Sequence, residues 1–204
     1  KSLAFQIPAW MSPGLTLVIS PLVALMKDQV DRLQELGLPA LALHGLMPWG
    51  EQASVLDEVR AGQVRLLYLA PERINRSEAV RKALRELREA GKLVRVVFDE
   101  AHCLLEWGYD FRPDYLKVLE WLRELGLPMS FFTATLTPEE RARLKEVAGI
   151  PEAVEVLPET FHRPNLRFVV RQAPGEVGKF DRLAQALLWV EKTGGSAIVY
   201  ATSR

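Results

Sequence analysis

The stretch Leu93-Val94-Arg95-Val96-Val97-Phe98-Asp99-Glu100-Ala101-His102 joins an apolar, β-branched run to two adjacent carboxylates and an imidazole. A run this short and this apolar reads as a strand buried on both faces, too brief for a buried helix. Four more blocks have the same character: Leu15 to Ile19, Leu66 to Leu69, Ser130 to Phe132 and Ala197 to Tyr200. Between the blocks, apolar residues recur at spacings of three and four, the mark of an amphipathic helix. Leu22, Leu25, Met26, Val30 and Leu33 form one such face, Val80, Ala83, Leu84 and Leu87 a second. Tyr115, Val118, Leu119 and Leu122 form a third, and Phe180, Leu183, Ala184 and Leu187 a fourth. Another helix is announced by its start: Thr137 can cap, Pro138 suits the first helical position, and Glu140 completes a capping box. Alternating strands and helices predict a parallel α/β sheet with helices on both faces. In such a sheet ligands sit at the carboxyl ends of the strands.

Asp99 and Glu100 lie at such an end. An aspartate there can hold Mg²⁺ on a nucleotide, and a neighbouring glutamate can orient and polarise the attacking water. An acidic pair capping the next helix is the plainer alternative, and His102 alone could be a satisfied core histidine. Far upstream, Lys1-Ser2 before a helical stretch is what would remain if a phosphate-binding loop, GxxxxGK[ST], were cut just before its lysine, and two surface residues at a terminus are the plainer alternative. There the lysine would reach phosphate oxygens and the hydroxyl would bind Mg²⁺. Thr133-Ala134-Thr135 follows the block ending at Phe132, where short hydroxyl residues can bridge the nucleotide site and a neighbouring loop. The segment Trp107-Gly108-Tyr109-Asp110-Phe111-Arg112-Pro113-Asp114-Tyr115 adds aromatic rings and a guanidinium next to the acidic motif, groups suited to stacking on unpaired bases.

Composition bounds the reading. The 204 residues carry 26 basic and 26 acidic side chains, so charge alone gives no argument for a nucleic-acid partner. At 49% hydrophobic and 25% charged residues a folded core is expected. A single cysteine, Cys103, leaves no internal disulfide framework and no zinc site within this segment. No apolar run approaches the roughly 18 residues of a membrane span, so neither membrane nor export is expected. The mixed-sign stretch Arg81 to Glu89 reads as a solvated helix face, and the Met and Trp residues on helices are assigned to the core. Pro151, Pro158, Pro164 and Ala173-Pro174-Gly175 thin out the pattern, which predicts a domain junction near Phe161. The chain opens inside one motif and stops inside another, and so reads as a segment of something longer.

With these residues in view, the chain resembles the RecQ group of superfamily 2 DNA helicases. The resemblance is carried by KSLAFQIPA, VISPLVALMKDQVDRL, YLAPERI, VVFDEAHCLLEWGYDFRPDY, FFTATLTPEER, FHRPNLRF and IVYATSR, in that order. It implies a RecA-like, P-loop NTPase type of sheet truncated at both ends, with residues 1–160 forming most of the first motor domain and 161–204 opening the second. It implies ATP and Mg²⁺ at Lys1, Ser2 and Asp99, with Glu100 acting on the water. It implies coupling between hydrolysis and DNA binding through His102, Trp107, Phe111, Arg112, Thr133 and Thr135. Ser20, Pro21, Lys27, Arg73, Arg112, Ser203 and Arg204 become candidate DNA contacts. Many relatives carry Ser-Gln and a histidine where this chain has Leu105-Glu106 and Tyr109, and Glu106 beside a phosphate backbone would be repulsive.

The implied activity is 3′ to 5′ translocation on single-stranded DNA with duplex unwinding, in repair or recombination. Single-stranded and forked DNA would be the partners, in the cytoplasm or, in a bacterium, at the nucleoid. The 204-residue piece alone is expected neither to hydrolyse ATP nor to unwind DNA. A DEAD- or DEAH-type RNA helicase and a non-hydrolysing nucleic-acid-binding scaffold are the alternatives.

Overall fold

The computed structural model describes residues 1–105, 113–157 and 163–200. The chain divides into two compact units, Lys1–Val154 and Glu155–Arg204. The expected junction at Phe161 lies outside the described residues.

In the first unit the order is α1 (Leu3–Met11), β1 (Leu15–Ile19), α2 (Val23–Glu35), β2 (Ala40–Leu43), α3 (Trp49–Arg60), β3 (Leu66–Leu69), α4 (Pro71–Arg76), α5 (Glu78–Glu89), β4 (Leu93–Asp99), a 3₁₀ turn (Ala101–Leu104), α6 (Pro113–Glu124), β5 (Met129–Phe132) and α7 (Pro138–Ala148). The strands form one parallel sheet in the order β2-β3-β1-β4-β5. The expected α/β class is therefore observed, and β1 sits in the middle because its five residues, Leu-Thr-Leu-Val-Ile, are all buried.

Alternation along the strands sends side chains to two separate cores. Leu17, Ile19, Leu67, Leu69, Val96 and Phe98 pack with α3, α5 and α6 on one face. Val18, Tyr68 and Val97 pack with Phe5 and Ala9 of α1 and Met26, Val30 and Leu33 of α2 on the other. Helix α7 begins as its sequence demands: Glu140 N donates to Thr137 Oγ1 at 3.3 Å, and Thr137 N donates to Glu140 Oε2 at 2.8 Å. On α5, Glu78 pairs with Arg81 at 2.9 Å and Arg85 at 3.1 Å, as expected of a solvated face.

Three expectations are corrected. Strand β5 is half-buried at all four positions instead of buried on both faces, because among the described residues it pairs with β4 alone. Residues Ala197–Tyr200 form no strand; the second unit offers α8 (Gly175–Lys192) and no strand to pair with among its described residues, and a lone extended segment leaves its backbone to water. Among the described residues α8 buries none of its own, and Phe180 and Leu187 are exposed. Finally, Trp10, Trp49 and Trp189 are exposed at 58%, 72% and 67%, so the assignment of tryptophans to the core fails for them. Besides the 3₁₀ turn, three elements had not been anticipated, β2, α3 and α4. Among the described residues no helix is long and apolar enough to cross a membrane.

Candidate active site

Strand β4 delivers Asp99 to its carboxyl end with no exposure, and the chain then turns at Glu100 with φ 50 and ψ 48. Among the described residues Glu100 is the one non-glycine in this left-handed region. A side chain held there costs on the order of 1–3 kcal/mol and persists where surrounding structure fixes it. The turn brings the Glu100 carboxylate into a partly open position while Asp99 stays beneath it; their side chains are 20% and 1% exposed.

Lys1, just before α1, meets both. Its Nζ lies 3.0 Å from Asp99 Oδ1 and donates a short hydrogen bond to Glu100 Oε1. Burial works against the charge on this ammonium, but the hydrogen bonds and attraction of Glu100 and Asp99 outweigh it, and its pKa stands above the ordinary 10.5. Ser2 follows at the N-terminus of α1, where its carbonyl accepts from Phe5 N and Gln6 N. Asp99 Oδ2 is buried without a hydrogen-bond partner. A buried, acceptor-only oxygen in that state is chemically matched to a hard cation. Among the described residues no group of three or more His, Cys, Asp or Glu could hold a metal ion. One or two carboxylates suffice for Mg²⁺ when phosphates and water supply the remaining oxygens, so the residues present fit that ion.

On the other side, His102 from the 3₁₀ turn places Nδ1 3.4 Å from Glu100 Oε2 and 3.1 Å from Thr133 Oγ1. Thr133 begins the loop after β5, and its hydroxyl also accepts from Thr135 N at 3.4 Å. The structure thus gathers Lys1, Asp99, Glu100, His102 and Thr133 into one chain of contacts, with Ser2 and Thr135 adjoining it in sequence. Trp107, Phe111 and Arg112, with Glu106 and Tyr109, lie outside the described residues, as do Ser203 and Arg204.

The remaining candidates line up along the strand ends. Ser20 and Pro21 follow β1 and are buried, Lys27 is exposed on α2, and Arg73 is half-buried on α4 after β3. Asn75 of α4 donates 2.9 Å bonds to the backbone oxygen and Oδ1 of Asp114 on α6, tying the Arg73 helix to the chain that follows the aromatic segment.

Two positioning groups escaped the sequence reading. Tyr115, counted there as part of a helix face, is fully buried; its hydroxyl donates to the carbonyls of Ile19, at 3.1 Å, and Asp99, and its ring meets Phe98 edge-on with centroids 5.8 Å apart. It fastens the ends of β1 and β4 to each other. Gln6 Nε2 donates to Tyr68 Oη at 2.9 Å, and Tyr68 Oη to Gln29 Oε1 at 3.1 Å, linking α1, β3 and α2. The signal was present in the buried tyrosines, polar ends on otherwise apolar runs, which need partners.

Residues 1–144 match the DEAD/DEAH box helicase family. The chain belongs to that family. Within it the kinship is with RecQ helicases: the chain is 38% identical over its whole length to the ATP-dependent DNA helicase RecQ of Synechocystis sp., covering 42% of that protein. It is 36% identical, again over its whole length, to the RecQ-like DNA helicase BLM of Xenopus laevis, covering 15% of it. The chain spans 13–42% of the length of the curated relatives it matches. A solved structure of the DUF1998 helicase MrfA shares the fold, with a TM-score of 0.60 at 20% identity, over 100% of this chain and 30% of that one. In this DEAD/DEAH helicase segment the DEAH tetrapeptide is Asp99 to His102, and all four of its residues lie within the strand end and turn described above.

Proposed function

We propose that the protein is an ATP-dependent DNA helicase of RecQ type, which couples ATP hydrolysis to 3′ to 5′ movement on single-stranded DNA and to unwinding of forked duplexes in repair or recombination. In this reading residues 1–160 belong to the first motor domain and 161–204 to the second. The observation that carries it is the contact chain from Lys1 through Glu100 and His102 to Thr133, which joins a phosphate-binding position to the loop after β5.

Lys1 binds the β and γ phosphates of ATP and, on doing so, exchanges its carboxylate partners for phosphate oxygens. Ser2 and Asp99 hold Mg²⁺, which supplies charge neutralisation on the phosphates when bound. Freed of Lys1, the Glu100 carboxylate is available to orient a water molecule and accept its proton; the left-handed turn keeps it at the open side of the site. His102 Nδ1 meets both Glu100 Oε2 and Thr133 Oγ1, so a shift of the loop after β5 is felt at the carboxylate. Trp107, Phe111 and Arg112 sense the strand, and Lys27, Arg73, Arg112, Ser203 and Arg204 contact its backbone. With Ser20 and Pro21 buried, the strand meets the loop after β1 through its main chain. The setting is the cytoplasm, or the nucleoid in a bacterium.

The test is steady-state ATP hydrolysis by the full-length protein without nucleic acid, with single-stranded DNA and with single-stranded RNA, and with Glu100→Gln as the blank. The expected result is stimulation by DNA alone, reduced about 10²–10⁴-fold in the variant, the range for losing a positioned proton acceptor. Equal stimulation by RNA would replace the DNA reading with an RNA helicase, and no turnover would leave a non-hydrolysing scaffold.

A further inference from the structure

Trp49 is the first residue of α3, at the carboxyl end of β2, and is 72% exposed, where a tryptophan on a helix would ordinarily be drawn into the core. Its position in the sheet gives the exposure a context. Reading outward from β4, the strand ends are those of β1, with Ser20 and Pro21, then β3, with Arg73 two residues beyond its helix start, then β2, with Trp49. Trp49 therefore extends by one strand the row of candidate DNA contacts. Leu46, in the same loop, is 82% exposed.

Beside Trp49 the surface is concave. A groove of about 170 Å³ runs between α3 and the junction of α4 with α5. Trp49 and Arg73 line it together with Ala53 and Leu56, and Asp57 and Arg60 line it further along α3. Arg60 pairs with Asp57 at 3.3 Å and with Glu86 at 3.5 Å, so its charge is already engaged at that end of the groove. Arg73 Nε is buried without a hydrogen-bond partner. The loop that carries Trp49 is braced from below: Gln52, 7% exposed, lines the groove and donates through Nε2 to Met47 O at 2.6 Å, while its Oε1 is left without a partner. Lys27 and Glu51 are both near enough to His44, which precedes the loop, to act on its charge: burial and Lys27 disfavour the protonated ring and Glu51 favours it.

An exposed indole beside a guanidinium, over a groove with apolar walls, is the equipment of a base-stacking platform. The volume is comparable to the ~150 Å³ cavities that admit a benzene ring, so one flat ring fits. We infer that the groove between α3 and α4 takes an unpaired nucleobase of single-stranded DNA, stacked on Trp49, with Arg73 facing the adjoining backbone. This rests on the reading of the protein as a DNA motor. It adds a contact that engages bases by their faces and so binds without sequence preference.

The test measures affinity of the full-length protein for a fluorescently labelled single-stranded oligonucleotide by anisotropy, across a series of salt concentrations, for the wild type, Trp49→Ala and Trp49→Phe. Loss of one stacked base is expected to weaken Trp49→Ala about five-fold or more, with the slope of log affinity against log salt unchanged, since no phosphate contact is removed. Trp49→Phe, which keeps a ring, should recover most of the loss. The thermal unfolding midpoint of both variants should match the wild type, because the side chain is exposed. Wild-type binding with unaltered affinity in Trp49→Ala overturns the inference and leaves the DNA-motor reading intact. A reduced salt slope in Trp49→Ala also overturns it, since it would make the contact electrostatic. No binding of single strands by the wild type overturns the motor reading and the inference with it.

Discussion

Replacing Tyr115 with phenylalanine removes one oxygen atom from the centre of the nucleotide-side fold. The hydroxyl is buried and donates to two carbonyls, Ile19 O at the end of β1 and Asp99 O at the end of β4. A hydrogen bond of this kind contributes about 0.5–1.5 kcal/mol net, and a buried carbonyl left without its donor costs about 1–3 kcal/mol. The ring stays against Phe98, so no cavity larger than the oxygen opens, and the two carbonyls share one lost donor. The combined expectation is a loss of about 1–3 kcal/mol. For a unit of this size each kcal/mol lowers the midpoint by about 2–4 °C, giving a fall of about 2–12 °C. Circular dichroism against temperature would measure it. Urea denaturation would show whether the midpoint falls with the slope preserved, as it must if the native state alone is affected. Because the same carbonyl belongs to Asp99, the variant should also weaken Mg²⁺-dependent nucleotide binding. A change under about 0.5 kcal/mol would refute the assignment of the hydroxyl as the link between the two strand ends.

Thr137→Ala removes the hydroxyl that accepts from Glu140 N, leaving the bond from the residue 137 backbone N–H to Glu140, and is expected to cost about 1 kcal/mol, read as a fall of about 2–4 °C in the same thermal assay. Gly14→Ala forces a side chain into a φ of +92°, with its Cβ 2.6 Å from Val94 Cγ1 and 2.9 Å from Lys92 O, so the β1 entry must shift; a loss of about 1–3 kcal/mol or more is expected in urea denaturation. Burial pushes the Tyr68 hydroxyl up to about 12, its bond from Gln6 opposing. A folded-state pKa raised above the unfolded value gives stability that is full below about pH 10 and lost as pH rises toward 12. Lys1, also raised, acts in the same direction from its ordinary 10.5 upward. Denaturation midpoints should therefore fall above pH 10, and Tyr68→Phe should fall less steeply; an identical slope would refute the role of Tyr68.

What the sequence disclosed depended on how purely each segment stated its period. Strands β1, β3 and β4 are predominantly apolar runs, interrupted inside only by Thr16 in β1 and Arg95 in β4, and could be read directly. Strand β2, Ala-Leu-Ala-Leu, has no β-branched residue and follows a proline, so it lacked the usual marks of a strand. Helix α3 buries Val55, Leu56 and Val59, but Gln52 completes the stripe, and a polar residue at a buried position hides the pattern. Residues Ala197–Tyr200 have a strand's composition and no strand beside them, which composition cannot report. At the site, Asp99, Glu100, His102 and Thr133 were legible because they follow apolar runs that end abruptly. The partnership of Tyr115 with two strand ends was not, because a hydroxyl's acceptors are set by packing across the sheet and leave no local trace.

The position of β1 bears on how the chain is made. Its two neighbours in the sheet, β3 and β4, are both translated after it, and Leu15 waits for Leu93. At 5–20 residues per second that interval is on the order of 4–16 s. During it a strand apolar at four of its five positions has both hydrogen-bonding edges bare, the condition in which strands find wrong partners. Synthesis beyond Asp99 is therefore the event that allows the sheet to close, and the strand that ends in the DEAH segment, the proposed nucleotide site, is also the last piece needed to seal the centre of the fold.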